Sequence, residues 1–335
     1  MRLAPLARSA GLINRNQCGS LAGLSTFDTC AALTHKIRTL QRYRLPTSTL
    51  FLDMQGGFDN ISSTVLNSLL PSKGISHYLM SWIKTFLSDR MCKVIFQSSL
   101  CVFTPVEVRT PQGSPVSPLL FVIYVSILHV PITRGIMFSY VDDFTVTVGS
   151  TSYRRNCQIF QHYYSSLKCK AARIGVSFSV IKPELSHWRT PGNWGPVSLA
   201  PVSLDGLLFH PVKCVRWLGH WFTPTLESSV HFSKGLALAQ DAFSIVRQLS
   251  LPGKGLSSYI NRRLATGLIL PILLYGSDLL VPNVAMLKTL MVFWNRVLHW
   301  VTNCFNTTPT STLSCKACIP SLTSILTHKW MMAAL

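Results

Sequence analysis

The chain has 335 residues, of which 48% are hydrophobic, and its 31 Lys and Arg outnumber its 12 Asp and Glu to give a formal net charge of +19. This hydrophobic content excludes an intrinsically disordered chain and predicts a large core divided over two or three subdomains. Because the basic residues are spread along the chain, we predict a nucleic acid as the partner, in preference to a merely basic protein or a basic targeting tail.

Neither the cysteines nor the apolar segments suggest export or a membrane location. Ten cysteines are distributed over the chain, and Met1–Arg8 lacks the sustained apolar run of a signal peptide, so we expect reduced and mostly buried thiols. The most apolar window, Leu264–Leu280, is interrupted by Pro271, contains Asp278 and is shorter than the ~20 residues of a bilayer span. We therefore predict a core helix there and no membrane partner.

The N-terminal part of the chain alternates between predicted helices and strands. Residues 1–24 are punctuated by Gly and are predicted to be irregular. A capping box at Ser25–Asp28 begins a helix whose apolar residues recur at helical spacing, namely Cys30, Leu33, Ile37 and Leu40. This helix leads to an apolar strand, Thr49–Asp53, and a second helical stretch extends over 69–87.

The next segment predicts strands, a tight loop and a buried helix. Met91–Val108 is rich in strand-forming residues and predicts two strands. Pro111–Pro118 predicts a tight loop. Ser117 as N-cap and Pro118 at the first helical position then begin a helix through Leu119–Tyr124, which is apolar on every side and therefore buried.

Two adjacent carboxylates interrupt the apolar run Phe138–Val146. The run predicts a hairpin whose turn carries Val141, Asp142 and Asp143. Paired like charges repel unless a cation lies between them, so we expect a divalent metal held by oxygen ligands. Four of the twelve acidic residues lie either here or in the stretch 49–59, where another apolar strand ends in Asp. This concentration favours a functional site over scattered surface charge.

The remainder of the chain changes from mixed elements to helices. The predicted order is a helix at Gln158–Gly175, a strand at Val176–Ser179, a strand-like aromatic segment at Lys213–Phe222, and helices at 230–249, 255–280 and 284–303. Strands and helices that mix before residue 222, followed by helices alone, indicate the α+β class.

Several ordered motifs resemble those of the reverse transcriptases of the non-LTR (LINE-like) retrotransposon family. The segments at 53–59 (D-x-x-x-[AG]-F-D), 111–118 (P-Q-G-S-P-V-S-P) and 140–143 (Y-V-D-D) are similar to motifs A, B and C. Further similar blocks are Asn16–Gly19 with Gly23–Thr26, Lys182-Pro183-Glu184 (motif D), Trp217-Leu218-Gly219 (motif E, the primer grip), Arg262–Leu264 and Leu274–Gly276. Together they cover roughly residues 16–280 of the chain.

The resemblance implies the fold of a right-hand polymerase. We expect partial fingers at 1–48 and a palm at 49–222 that carries motifs A to E on a ferredoxin-like sheet with flanking helices. Residues 223–335 are then expected to form a helical thumb and C-terminal region.

The resemblance also implies an RNA-directed DNA polymerase, a nucleotidyltransferase that uses an RNA template, a DNA primer and deoxynucleoside triphosphates. Asp53, Asp142 and Asp143 would bind two Mg²⁺ ions, with Mn²⁺ as a substitute, and Lys182 would donate a proton to the leaving pyrophosphate. An oxygen-only site suits Mg²⁺ better than zinc. The alternative interpretations are that the aspartates are solvated acids of an exposed turn and that Lys182 is a solvated surface lysine.

Three further positions have roles that the resemblance implies. Phe58 would be the steric gate against a 2′-hydroxyl, although the residues alone favour a core phenylalanine. Gln112 and Gly113 would contact the nucleotide, whereas Gln-Gly is otherwise ordinary turn chemistry. Trp217-Leu218-Gly219 would support the primer end, and the alternative is a tryptophan packed in the core between palm and thumb.

The sequence departs from the family pattern at several positions. Leu21 and Leu24 replace two arginines of the block that begins at Asn16, Gly57 replaces an alanine, and Arg109 stands where Gly is common. Because the chain begins just before that block, we expect the upstream fingers strands to be missing and primer extension to be weak.

The sequence is compatible with functions other than polymerisation. The main alternative is a catalytically weak or silent retroelement remnant that acts as a nucleic-acid-binding protein. A viral RNA-dependent RNA polymerase is disfavoured because Val141 replaces the Gly usual before its aspartate pair. Cys315 and Cys318, with Cys304 and His328, could bind zinc. Their irregular spacing favours the alternative interpretation, in which they are buried thiols.

Overall fold

The computed structural model describes residues 3–9, 11–57, 61–71, 75–88, 90–93, 95–97, 99–105, 110–111, 113–190, 192, 197–248 and 256–334. These residues form two compact units, Met1–Lys213 and Cys214–Leu335. Each unit has its own cluster of buried apolar side chains. The proposed boundaries of fingers, palm and thumb stay predictions.

A five-stranded antiparallel sheet forms the centre of the first unit. Its strands are Thr47–Gln55 (β1), Gly135–Tyr140 (β6), Asp143–Gly149 (β7), Ser177–Phe178 (β8) and Glu184–Trp188 (β9). The order is β6-β7-β1, and β8 and β9 both pair with the other edge of β1, one after the other. The α+β fold class predicted from the sequence is confirmed.

The described part of the first unit contains six α-helices. They are Leu3–Ser9 (α1), Thr26–Arg42 (α2), Ser63–Leu69 (α3), His77–Leu87 (α4), Ser117–Val125 (α5) and Tyr153–Arg173 (α6). Helices α2 and α6 pack against β1 and β7. Six consecutive residues of β1, Thr47–Leu52, are buried, because both faces of the strand are covered.

The predicted capping box begins helix α2 as expected. The backbone N–H of Ser25 donates to Asp28 Oδ2 at 2.7 Å, which satisfies an amide that the helix itself leaves without a partner. The buried face of α2 carries the four predicted apolar residues, Cys30, Leu33, Ile37 and Leu40.

Short strands complete the first unit. Four two-residue strands, Met91–Cys92 (β2), Ile95–Phe96 (β3), Ser99–Leu100 (β4) and Thr104–Pro105 (β5), pair as β2 with β5 and β3 with β4. The two strands predicted for this segment are therefore each broken into two pieces. Strands β10 (Val202–Leu204) and β11 (Leu207–Phe209) form a separate hairpin.

The described residues of the second unit form helices and one hairpin. Its strands are Val215–Trp217 (β12) and His220–Phe222 (β13), and its helices are Ser229–Gln248 (α7), Ser258–Leu264 (α8), Leu270–Leu273 (α9), Val284–Thr302 (α10), Thr310–Ala317 (α11) and Leu322–Ala334 (α12). A π-helical turn at Ala265–Ile269 joins α8 to α9 just before Pro271, where proline removes a backbone donor. No helix within the described residues is long and apolar enough to cross a bilayer.

Several local predictions were wrong. Residues 1–24 contain helix α1, whose leucine, alanine and arginine residues favour a helix. Helix α6 begins at Tyr153, five residues before the predicted start, because Ser152 caps it by accepting from Arg155 N at 3.1 Å. Ser117 is the first residue of α5 and not its cap, since its hydroxyl donates to Pro111 O at 2.7 Å.

The expectation of mostly buried thiols was also wrong. The ten cysteines form no disulfide, as expected, but only Cys18, Cys30 and Cys157 are buried, and five, including Cys315 and Cys318, are exposed. A small apolar side chain tolerates burial without requiring it, so composition did not decide its location.

Acid should weaken the first unit through His129. This ring lies 2.7 Å from Ser139 Oγ, and burial lowers the pKa of His129 to about 4. Above pH 6.5 both the folded and the unfolded chain hold the ring neutral, and as the pH falls towards 4 only the unfolded chain gains the proton. The resulting stabilisation is therefore present above pH 6.5 and is lost towards pH 4, by about 3 kcal/mol.

We predict that His129→Gln, which retains a hydrogen-bonding group, flattens this pH dependence of the free energy of unfolding, measured by urea denaturation between pH 4 and 7. The exposed residue His162 provides the matched control, and His162→Gln should leave the dependence unchanged. Equal pH dependence in His129→Gln and the original chain would contradict the assignment.

Candidate active site

The register between β1 and β7 brings two predicted metal ligands together. The ladder pairs Leu52 with Phe144 and ends by pairing Asp53 with Asp143. Directly opposed residues of an antiparallel pair point to the same face, with Cβ atoms about 4.5–5.5 Å apart. The carboxylates of motifs A and C are therefore neighbours, although 90 positions separate them in the chain.

A tight turn carries the third carboxylate. Strands β6 and β7 pair up to Tyr140 and Asp143, which leaves Val141 and Asp142 as the two turn residues. The backbone N–H of Met54 donates to Asp142 O at 3.3 Å, which ties the turn to β1. The sequence placed Asp143 in the turn, whereas the structure makes it the first residue of β7.

Lys182 reaches the acidic cluster through a break in the sheet edge. Strand β8 pairs with Met54 and Gln55, β9 pairs with residues 47–51, and Lys182 lies in the segment between the two strands. Ser179 anchors this segment, because its N–H donates to Asp53 O at 2.8 Å and its hydroxyl accepts from Lys182 N at 3.3 Å. The Lys182 ammonium then donates to Asp53 Oδ2 at 3.0 Å, while its side chain remains 70% exposed.

The cluster holds more negative charge than Lys182 offsets. Burial raises the pKa of Asp143 to about 6, and the neighbouring carboxylates of Asp142 and Asp53 raise it as well. Burial and the charge of Asp53 likewise raise the pKa of Asp142. Both shifts show that an added positive charge would be favourable at this place.

The donor atoms suit a hard divalent cation, although they do not enclose one. In the part of the chain that the structure describes, no three His, Cys, Asp or Glu side chains are arranged to hold a metal ion, and Lys182 already bonds to Asp53. The three aspartates nevertheless offer only oxygen atoms, whose mutual repulsion a cation would relieve. This chemistry fits Mg²⁺ or Mn²⁺ better than zinc.

The other predicted nucleotide contacts are only partly visible. Gly113 has a φ of +89° in the turn after Pro111, a conformation that glycine adopts without strain. Phe58 and Gln112 lie outside the described residues, so their predicted roles stay predictions.

The predicted primer grip forms the turn of the β12–β13 hairpin in the second unit. Trp217 is buried, and the turn residues Leu218 and Gly219 have φ values of +47° and +79°. Tyr275 supports this turn by donating its hydroxyl proton to Leu218 O at 2.8 Å, and its ring fills the space that a side chain on Gly219 would need. The tight turn is confirmed, while its contact with a primer stays a prediction.

Sequence similarity decides the family. Residues 1–222 match the family described as reverse transcriptase (RNA-dependent DNA polymerase). The chain belongs to the reverse transcriptase family. The resemblance to non-LTR retrotransposon reverse transcriptases is thereby confirmed as membership of this family.

Two similar proteins come from transposons of Drosophila melanogaster. The chain is 22% identical over 311 residues to a probable RNA-directed DNA polymerase from transposon BS, a match that covers 90% of this chain and 34% of that protein. It is 25% identical over 162 residues to the corresponding protein from transposon X-element, which covers 47% of this chain and 17% of that protein. This reverse transcriptase chain thus spans about a third of the length of the transposon BS protein.

Solved telomerase structures share the fold. The apo telomerase of Candida tropicalis superposes with a TM-score of 0.50 at 13% identity over 99% of this chain and 59% of that chain. A Candida albicans telomerase in complex with a TWJ fragment of telomeric RNA gives a TM-score of 0.50 at 11% identity over 99% of this chain and 50% of that chain. At such identities the similarity establishes the polymerase fold alone.

Close packing explains one departure of this reverse transcriptase from the family pattern. A Cβ atom on Gly57 would lie 2.8 Å from Cζ of the fully buried Phe121 and 3.7 Å from Cβ of Asp142. The larger alanine common in the family therefore does not fit beside Phe121.

We predict that Gly57→Ala lowers the free energy of unfolding by about 1–3 kcal/mol, because the added methyl group overpacks the core. Phe121→Leu should make room for the methyl group. The double variant should therefore lose less free energy of unfolding than the sum of the losses in the two single variants. Chemical denaturation of the four proteins measures this coupling. Additive losses would show that Phe121 is not what excludes alanine.

Proposed function

We propose that this chain catalyses RNA-directed DNA synthesis, with Asp53, Asp142 and Asp143 as ligands of two divalent ions. The observation that carries the proposal is the pairing of Asp53 with Asp143 at the end of the β1–β7 ladder, beside the turn that holds Asp142. Bound Mg²⁺ would supply charge neutralisation and activation of the primer 3′-hydroxyl. The chain supplies the oxygen ligands and holds them on two adjacent strands.

Lys182 is proposed to act on the leaving pyrophosphate. Its ammonium lies 3.0 Å from Asp53 on an exposed side chain, so it is held at the cluster and is still accessible to a ligand. Because the Asp53 carboxylate raises the pKa of Lys182 through a hydrogen bond, the lysine stays protonated until the phosphate accepts its proton. General acid catalysis requires a donor in this protonated state.

The polymer partners follow from the family and the charge. An RNA template and a DNA primer both carry a phosphate backbone that complements the formal charge of +19. We propose deoxynucleoside triphosphates as substrates, with Phe58 excluding the 2′-hydroxyl, Gln112 and Gly113 contacting the nucleotide, and Trp217-Leu218-Gly219 supporting the primer.

The charge also favours a second function. A chain that had lost catalysis would keep the same basic surface and would act as a nucleic-acid-binding protein. The ion pair between Lys182 and Asp53 would then be a structural contact, and binding would persist without any dependence on divalent ions.

Asp142→Asn tests the catalytic proposal. The substitution keeps the shape of the side chain and removes one of three repelling charges, so we predict an unchanged or higher thermal midpoint in the absence of metal. Primer extension on an RNA template with Mg²⁺ should be abolished.

The matched control is Asp205→Asn, because Asp205 pairs with Lys168 at 2.7 Å, outside the acidic cluster. It should extend primers as the original chain does. Extension by Asp142→Asn at the original rate would refute the assignment, and the lack of extension by every variant would favour the binding function.

Binding to an RNA–DNA duplex should weaken steeply with salt. Each neutralised phosphate adds roughly 0.7–0.9 to the slope of log affinity against log salt. Fluorescence anisotropy across several salt concentrations should therefore give a slope of several units that hardly changes between duplex sequences. A flat response would mean that the positive charge does not serve nucleic-acid binding.

A further inference from the structure

The turn that carries Asp142 has an unfavourable backbone at Val141. Val141 has a φ of +57°, in the left-handed region that β-branched residues rarely adopt. Glycine is the preferred residue at the first position of such a hairpin turn. The fold must therefore hold Val141 in this conformation by contacts from outside the turn.

Gln17 makes these contacts from a distant part of the chain. Its amide oxygen accepts from the N–H of Val141 at 3.2 Å, and its amide nitrogen donates to the carbonyl of Val141 at 3.3 Å. Gln17 is 1% exposed and lies 124 positions from Val141 in the chain. A carboxamide combines one donor and one acceptor, so it satisfies both backbone groups of one residue.

Backbone pairing with strand β6 fixes the position of Gln17. Cys18 N donates to Ser139 O at 3.1 Å, and Ser139 N donates to Asn16 O at 3.1 Å. Gly19 N also donates to the Gln17 amide oxygen at 3.3 Å, which sets the orientation of the carboxamide. The block that begins at Asn16 therefore acts as a support behind the hairpin.

Gly19 leaves the space that this support needs. A Cβ atom on Gly19 would lie 2.5 Å from both the backbone nitrogen and Cγ2 of Val141. Because the nitrogen belongs to the backbone, a side chain on Gly19 would displace the turn itself.

We propose that Gln17 is a positioning residue that holds Val141 in its left-handed conformation and so directs Asp142 and Asp143 towards Asp53. The inference rests on the proposed metal-binding function, because its consequence is that Gln17 raises affinity for a divalent cation without contacting it. Outer residues that orient metal ligands commonly contribute about 10- to 100-fold in metal affinity.

Substitutions at Gln17 and Val141 separate this role from a general loss of stability. Gln17→Leu removes both hydrogen bonds, so Val141 should leave the left-handed region. Val141→Gly in the same chain removes the steric reason for that change, because glycine adopts positive φ freely. The double variant should therefore regain metal affinity that the single variant has lost.

Two matched variants act as controls. Gln41 is another buried glutamine of the first unit, and its side-chain amide donates to Arg189 O at 2.9 Å. Gln41→Leu should lower the thermal midpoint without changing metal affinity. Gly19→Ala should weaken metal binding, and Val141→Gly should not restore it, because the added Cβ still meets the backbone nitrogen.

Mn²⁺ binding to the full chain, followed by the electron paramagnetic resonance signal of the free ion, measures the affinity. We expect Gln17→Leu to raise the dissociation constant about tenfold or more, and the double variant with Val141→Gly to return towards the original value. Unchanged affinity in Gln17→Leu, or equal losses in Gln17→Leu and Gln41→Leu, would overturn the proposal.

A second measurement is independent of metal and of catalysis. Nuclear magnetic resonance of valine-labelled protein reports the backbone conformation at Val141. The backbone chemical shifts of Val141 should no longer indicate a left-handed conformation in Gln17→Leu, whereas they should still do so in Gln41→Leu. Unchanged shifts in Gln17→Leu would refute the positioning role. If the shifts move but the original chain binds no Mn²⁺, the positioning role stands and the proposed metal-binding function is wrong.

Discussion

The antiparallel register between β1 and β7 is the constraint on which the candidate active site depends. Side chains alternate between the two faces of a sheet, so a shift of one residue would turn Asp53 away from Asp143. Buried contacts within the sheet favour this register: the Thr49 and Thr147 hydroxyls are 2.9 Å apart, and Trp188 Nε1 donates to Thr49 Oγ1 at 2.8 Å. These hydrogen-bonded pairs lie away from the acidic cluster. They hold its carboxylates together in spite of their mutual repulsion.

That repulsion distinguishes the site from the rest of a strongly basic chain. Three carboxylates lie together where burial already disfavours charge, and the pKa of Asp143 rises to about 6 as a result. Lys182 offsets part of the charge from the gap between β8 and β9. An arrangement that is electrostatically unfavourable without a cation becomes favourable with one, which supports the proposal that these carboxylates bind divalent ions.

Two glycines permit the backbone to approach the acidic turn closely. Gly57 leaves room for Phe121 beside Asp142, and Gly19 leaves room for the backbone of Val141. Neither glycine has a positive φ value, in contrast to Val141 at +57°. Glycine is therefore needed at positions 19 and 57 because a side chain would not fit. At position 141 glycine would instead be favoured by the positive φ value, but the chain has a valine there, whose backbone is hydrogen-bonded by Gln17.

The sequence by itself determined the family, the α+β class and the identities of the acidic residues, because these depend on ordered motifs and on local periodicity. It also located helix α2 and its cap, which are set by neighbouring residues. Only the tertiary structure decided that Lys182 pairs with Asp53 and that Gln17 bonds to Val141. These contacts join residues 129 and 124 positions apart, and their geometry depends on strand order and register, which no local pattern specifies.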